Sequence, residues 1–226
     1  MIFLRLKSYA VTILLLTSGL AQATSLAQLQ LEARSNPRLQ AILEINAQAP
    51  MSQLTRATDQ LQVLYQQHPD YRIAKMFYGY GQLYMATEFL AKKNYLRAAE
   101  SSKLGFFYID EAAESDEHDW QMRFLRARMD AFVSASHGRC VVALKDLAYL
   151  QQSTAVPADL KPMTTLMLAH ALGSCQRGGD AKAAWAALAQ QGEEGKRLSE
   201  LKGRSAPEWT PAELSAIIQP LAEVTP

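Results

Sequence analysis

Cys140 and Cys175 are the two cysteines in this 226-residue chain, and three kinds of chemistry are open to them. They can close a disulfide. They can be tried with His137 and His170 as a zinc set, since His137 precedes Cys140 by a plausible ligand spacing. One of them can be tried as a thiolate nucleophile beside a histidine. The zinc set fails on periodicity: His170 lies five residues before Cys175, which turns it more than about 100° round a helix, away from the cysteine's face. The nucleophile needs a free sulfur. An even cysteine count in an exported chain points instead to one disulfide, Cys140 to Cys175.

The carboxylates form a second group. Asp110, Glu111, Glu114, Asp116, Glu117 and Asp119 stand ahead of Arg123, Arg126 and Arg128. Asp110 and Glu114 are four apart on one helix face, so they could share acid and base roles or hold a cation. No further ligand stands at a recognisable spacing. The structural use is the simpler one: acidic residues at a helix start and salt bridges between two helices. Glu117-His118-Asp119 is a polar helix start before Trp120. There is no phosphate-binding glycine loop, no Gly-x-Ser-x-Gly and no His-Glu-x-x-His. The chain is expected not to be an enzyme, with no catalytic residue, metal or cofactor.

Aromatic side chains are the third group. Ten of the 19 lie between Tyr71 and Tyr108. Phe77, Tyr80 and Tyr84 share a helical stripe, and Gly79 and Gly81 interrupt the same helix, which suits a close helix approach. Phe106-Phe107-Tyr108 must point in more than one direction. The block is expected to be mainly core. Its functional alternative is a groove surface, for which Tyr78, Tyr84, Tyr108 and Arg97 are the candidate ligand- or partner-binding residues.

These residues sit on helices. Apolar positions recur every three or four residues, as in Leu54, Ala57, Leu61, Leu64 and Met122, Leu125, Met129, Phe132. Good helix formers dominate, and no stretch alternates as a strand. Asn36-Pro37 starts a helix that ends at Ala49-Pro50. Ser52 opens the next, which stops before Pro69. Asp70 is placed to cap a helix from Tyr71 to Ala91. After a break at Lys92-Lys93-Asn94 a helix runs from Tyr95 to Ser115. Asp116 caps a helix to Ser136, with Gly138 beyond it. Helices follow from Arg139 to Gln152 and, opened by Asp159, to Gln176, where Gly178-Gly179 stops the helix. Asp180 caps another, ended by Gly192. Thr210-Pro211-Ala212-Glu213 is a capping box, and Pro220 should kink the last helix. Short connections make successive helices antiparallel. Cys140 at the start of one helix and Cys175 at the end of the next then lie at one level, which supports the disulfide.

The first 23 residues read as a signal peptide. Arg5 and Lys7 precede an apolar run of about a dozen residues, shorter than the ~20 that span a bilayer, and Ala21-Gln22-Ala23 forms a cleavage site. The whole chain carries a net charge of +1. Removing Arg5 and Lys7 leaves a net of −1, with no basic footprint for nucleic acid. The exported domain is expected in the periplasm, with no membrane insertion after cleavage.

A degenerate repeat is visible in the second helix of each pair. Ala57, Leu61, Leu64 and Pro69 give a small residue, large residues four and seven later, and a proline. Ala143, Leu147, Leu150 and Ala181, Trp185, Leu188 repeat the first three positions. This resembles the tetratricopeptide repeat. The spacing departs from its ~34-residue period, and Ala99 is followed by Lys103 and Phe106 instead of large aliphatics. The resemblance implies an all-α fold of antiparallel hairpins stacked as a right-handed solenoid over 24–192, with C-terminal capping helices and tail over 193–226. It also implies a protein-binding adaptor or scaffold for an envelope protein or peptide. The alternative is an accessory protein of a transporter, holding a small ligand in an aromatic pocket between hairpins.

Overall fold

Residues 25–201 and 205–223 are described by the computed structural model; the expected signal peptide over 1–23 lies outside them. No strand occurs among the described residues. Ten helices of eight residues or more run α1 (Leu26–Ala33), α2 (Pro37–Glu44), α3 (Met51–Gln67), α4 (Arg72–Ala91), α5 (Tyr95–Glu114), α6 (Trp120–Phe132), α7 (Cys140–Gln152), α8 (Lys161–Ser174), α9 (Gly178–Ala189) and α10 (Gly192–Ser199). Each packs mainly on its neighbours in sequence: α3 on α4, α4 on α5, α6 on α7, α7 on α8, α8 on α9. That order is the one expected of stacked hairpins with short connections.

Two helices are enclosed. The run from Ile73 to Gly81 in α4 is buried at every position, as is Met122 to Ala131 in α6. A helix buried on all sides must be apolar or have its charges paired. α4 solves this with Met76, Phe77, Tyr80 and glycine, and pairs its one buried charge in the run, Lys75, with Glu111 on α5 at 2.6 Å. Gly79 and Gly81 have the use their positions suggested: a Cβ on Gly79 would come within 2.7 Å of the Gly105 carbonyl on α5, and one on Gly81 would meet Thr58 on α3. α6 solves it with ion pairs, described below.

Capping chemistry sets most boundaries, and some differ from expectation. Ser25 caps an unanticipated α1. Asn36 accepts from the Arg38 and Leu39 amides and Pro37 opens α2, as expected, but α2 ends at Glu44. There Ile45 is extended, and the Asn46 side chain accepts from the Gln48 amide to make a turn. Pro50, not Ser52, precedes α3, and Asp70 does not cap α4, whose flanking residue is Tyr71. Asp119 caps α6 through the Gln121 and Met122 amides. Asp116 instead binds the His118 amide in the preceding turn. Phe132 ends α6 because Val133 is extended, and a 3₁₀ turn over Ala135–His137 carries the chain to Gly138 in the left-handed region. Asp159 lies in a 3₁₀ turn rather than at a cap. Gln176, at φ 62°, reverses the chain after α8. Gly178 and Gly179 therefore form the first turn of α9, and Asp180 pairs with Arg177.

The segment after Ser205 lies back across α4 and α6. The Thr210–Glu213 capping box is present. α11 (Pro211–Glu213) leads through a π-helical stretch (Leu214–Ile218) to α12 (Gln219–Glu223). Pro220 has no N–H for the Ala216 carbonyl; the Gln121 side-chain amide on α6 donates to that oxygen at 2.8 Å. The hydroxyl of Tyr71, just before α4, donates to the Leu221 carbonyl, and Trp209 packs on Phe77.

Candidate functional site

Cys140 is the first residue of α7, and Cys175 follows the last turn of α8. Their sulfurs are bonded at 2.00 Å with the Cα atoms 5.6 Å apart. Both sulfurs are thereby spent, which removes the zinc set and the thiolate nucleophile. His137 and His170 lie elsewhere: His137 stands against Phe106, and His170 sits between Phe132 and Trp185. No group of three or more His, Cys, Asp or Glu is placed to hold a metal among the described residues.

Asp110 and Glu114 belong to an ionic network between α5, α6 and α7, whereas Glu111 pairs with Lys75 and Asp116 and Asp119 pair with Arg72, both on α4. Arg126 makes a two-point pair with Asp146, Nε to Oδ2 at 2.7 Å and Nη2 to Oδ1 at 2.9 Å, and its Nη1 reaches Glu114 at 3.1 Å. Arg123 joins Asp146 at 3.0 Å and lies over the Tyr149 ring. Arg139 forks onto Asp130 and also onto Asp110. Arg126 Nη1 also lies 3.4 Å from Asp110, so Asp110 and Glu114 meet on one arginine and bridge two helices, the structural use expected of the acidic cluster. Burial pushes the Asp130 carboxyl up to about 7, with Arg139 pulling it down. Asp130 and Asp146 were not singled out from sequence. The signal was there: both fall on apolar helix faces, Asp146 beside Leu147 and between Ala143 and Leu150, where an unpaired carboxylate would be prohibitively costly.

The aromatic block divides. Tyr71, Phe77, Tyr78 and Tyr80 are core. Of the four candidate binding residues, Tyr78 and Tyr108 come together with Tyr65, ring centroids 4.8–5.2 Å apart. Arg97 is exposed and lies over Phe89. Tyr84 is separate from all three, edge-on to Tyr80, with its hydroxyl pKa raised by burial.

Tyr84 lines a half-open cleft of about 610 Å³. Its walls are α4 (Tyr80, Leu83, Tyr84, Leu90), α5 (Tyr95, Ala99, Phe106), the end of α6 (Arg128, Met129, Phe132) and Ser205-Ala206. The lining is mainly apolar. Arg128 is its buried charge, neutralised by Glu213 at 2.7 Å and stacked over Trp209 at 3.8 Å. A second cleft, about 730 Å³, lies between the end of α6, α8 and α9, lined by His170, Gly173 and Trp185. Burial lowers the His170 pKa, and its ring packs between Phe132 and Trp185 as part of the wall. Phe132, Val133 and Ser134 line both clefts. The two are therefore adjoining depressions on either side of the point where α6 ends. Sequence reasoning missed this because the walls come from distant residues, Ala47 to Ala206 in the first cleft and Ala131 to Leu201 in the second.

No protein-family model matches the chain, and no curated protein or solved structure matches it significantly. No helix among the described residues is long and apolar enough to cross a membrane.

Proposed function

We propose that this is an exported, tetratricopeptide-like adaptor that holds an extended segment of another envelope protein. The observation that carries this reading is the pair of adjoining clefts sharing Phe132, Val133 and Ser134. A small ligand fills one enclosed pocket, commonly about 300–1,000 Å³. Two half-open depressions in series suit a peptide that places side chains in both. Ala57, Ala143 and Ala181 are buried as the repeat requires, while Ala99 is exposed and lines the first cleft instead. The segment after Ser205 folds back over α4 and α6, so in this reading the stack of hairpins is closed by a returning strap. The disulfide fits an oxidising compartment, in keeping with the signal peptide read from residues 1–23 and a periplasmic location.

The test fills the clefts from their open side. Ala99→Trp enters the first, and Gly173→Trp enters the second from an exposed helix position with nothing within 4 Å of its Cβ. Affinity capture from the native envelope should recover a protein with the wild type and lose it with either variant. Recovery of a small molecule with no protein would favour the accessory ligand-binding reading. That alternative has one observation behind it: the first cleft alone has the volume and apolar lining of a ligand site.

A further inference from the structure

The α4–α5 hairpin has the longest helices among the described residues, 20 residues each, against 17 in α3 and 12 to 14 in α6 to α9. Leu90 and every residue from Lys92 to Arg97 at its tip are exposed. Three of them are large and apolar: Leu90 at 56%, Tyr95 at 65% and Leu96 at 71% exposure. Three others are cations: Lys92, Lys93 and Arg97. Lys93 takes φ 58°, so the turn is tight and the cations are set among the apolar side chains. Leu96 lines neither cleft and no helix covers it, while Leu90 and Tyr95 stand on the tip and also line the first cleft; covering any of the three would gain free energy.

We propose that this tip docks on an anionic lipid surface. Leu96, Tyr95 and Leu90 enter the interface, and Lys92, Lys93 and Arg97 meet the lipid phosphates. Apolar and aromatic groups flanked by Lys and Arg are the composition that interfacial anchors use. Residues 90–97 carry three cations and no carboxylate, which calls for an anionic surface. The contact is tip-first. Leu104 and Phe107 are also exposed on α5, but Glu100 stands on the same face between Leu96 and Phe107 and breaks the apolar stripe. The docking is peripheral, distinct from insertion of a spanning helix. It does not rest on the adaptor reading: Leu90 and Tyr95 also line the first cleft, but Lys92, Lys93, Leu96 and Arg97, on which the test acts, line neither.

Co-sedimentation of the purified protein, disulfide intact, with phosphatidylcholine vesicles containing or lacking phosphatidylglycerol tests the proposal. The wild type should bind the anionic vesicles and not the neutral ones. Lys92→Glu/Lys93→Glu should lower the partition coefficient by about tenfold or more. Leu96→Asp should act in the same direction, and Val63→Asp, an exposed apolar site outside the tip, should leave binding unchanged. All variants share one N-terminal segment, so its contribution cancels. Leu96→Trp gives an independent reading, a blue shift of emission on adding anionic vesicles. No binding to either vesicle, undiminished binding by the tip variants, or no emission shift overturns the proposal. Loss of a captured protein by the tip variants, without vesicle binding by the wild type, also overturns it and assigns the tip to an acidic protein partner.

Discussion

Arg128 Nε donates to Glu213 Oε1 at 2.7 Å, joining two fully buried charges that lie 85 residues apart in the chain. The second Glu213 oxygen accepts from the Thr210 amide, and Arg128 Nη2 donates to the Pro207 carbonyl. One ion pair therefore ties the returning segment to α6, caps α11 and sets a wall of the first cleft. Removing one partner leaves the other charge buried and unpaired, a cost of about 3–5 kcal/mol. Glu213→Ala should lose that much in urea unfolding, and Arg128→Met a similar amount. The double variant should lose clearly less than the sum; simple additivity would show the two residues to be uncoupled.

The disulfide closes a loop of 35 residues between the start of α7 and the end of α8. Chain-entropy reasoning gives about 3–4 kcal/mol for such a loop. Cys140→Ser/Cys175→Ser should lower unfolding stability by roughly that amount. Thiol labelling of the unreduced, denatured wild type should modify no cysteine, and labelling of two would refute the bond.

Asp130 supplies a pH dependence with a definite sign. Burial holds its carboxyl at about 7, with Arg139, Asp110 and Arg126 as its charged neighbours. A carboxyl that binds its proton more tightly folded than unfolded favours the fold at low pH. That contribution is complete below the unfolded value near 4 and is lost as pH rises toward 7. Asp130→Asn removes it. The stability of the wild type minus that of Asp130→Asn should fall between pH 4 and 7 and level off above. A difference that rises over this window would contradict the assignment.

Glycine substitutions should separate packing from propensity. Gly105→Ala places a methyl 2.6 Å from Leu83 Cγ and 2.9 Å from the Gly79 carbonyl, so α4 and α5 must move apart. Overpacking of this kind costs about 1–3 kcal/mol. Gly173→Ala enters open space on an exposed helix and should gain up to about 1 kcal/mol. Thermal unfolding of the two variants checks the opposite signs.

Local signals were legible in the sequence where one residue and its nearest neighbours decide the outcome. The Thr210–Glu213 box and the Asn36 cap are of this kind. The cysteine pair was legible because a short connection fixes the level of two helix ends. Aspartates were not: Asp70, Asp116, Asp119 and Asp159 all precede helical residues, yet only Asp119 reaches the free amides of a helix start, and Asp116 takes the His118 amide in the turn before it. Ring placement was less legible still. Tyr78 and Tyr84 lie six apart on α4, yet one enters a tyrosine cluster with Tyr65 and Tyr108 and the other a cleft. Their surroundings depend on α3, α6 and Ser205-Ala206, whose approach no local pattern encodes.

The account rests on the adjoining clefts as a protein-binding surface. Photo-cross-linking in the native envelope tests this directly, with a benzophenone side chain placed at Ala99 in the first cleft, at Gly173 in the second and at Val63 outside both. The account predicts the same discrete protein adduct from Ala99 and Gly173 and none from Val63. Adducts of equal yield at all three positions, or none at the two clefts, would contradict it.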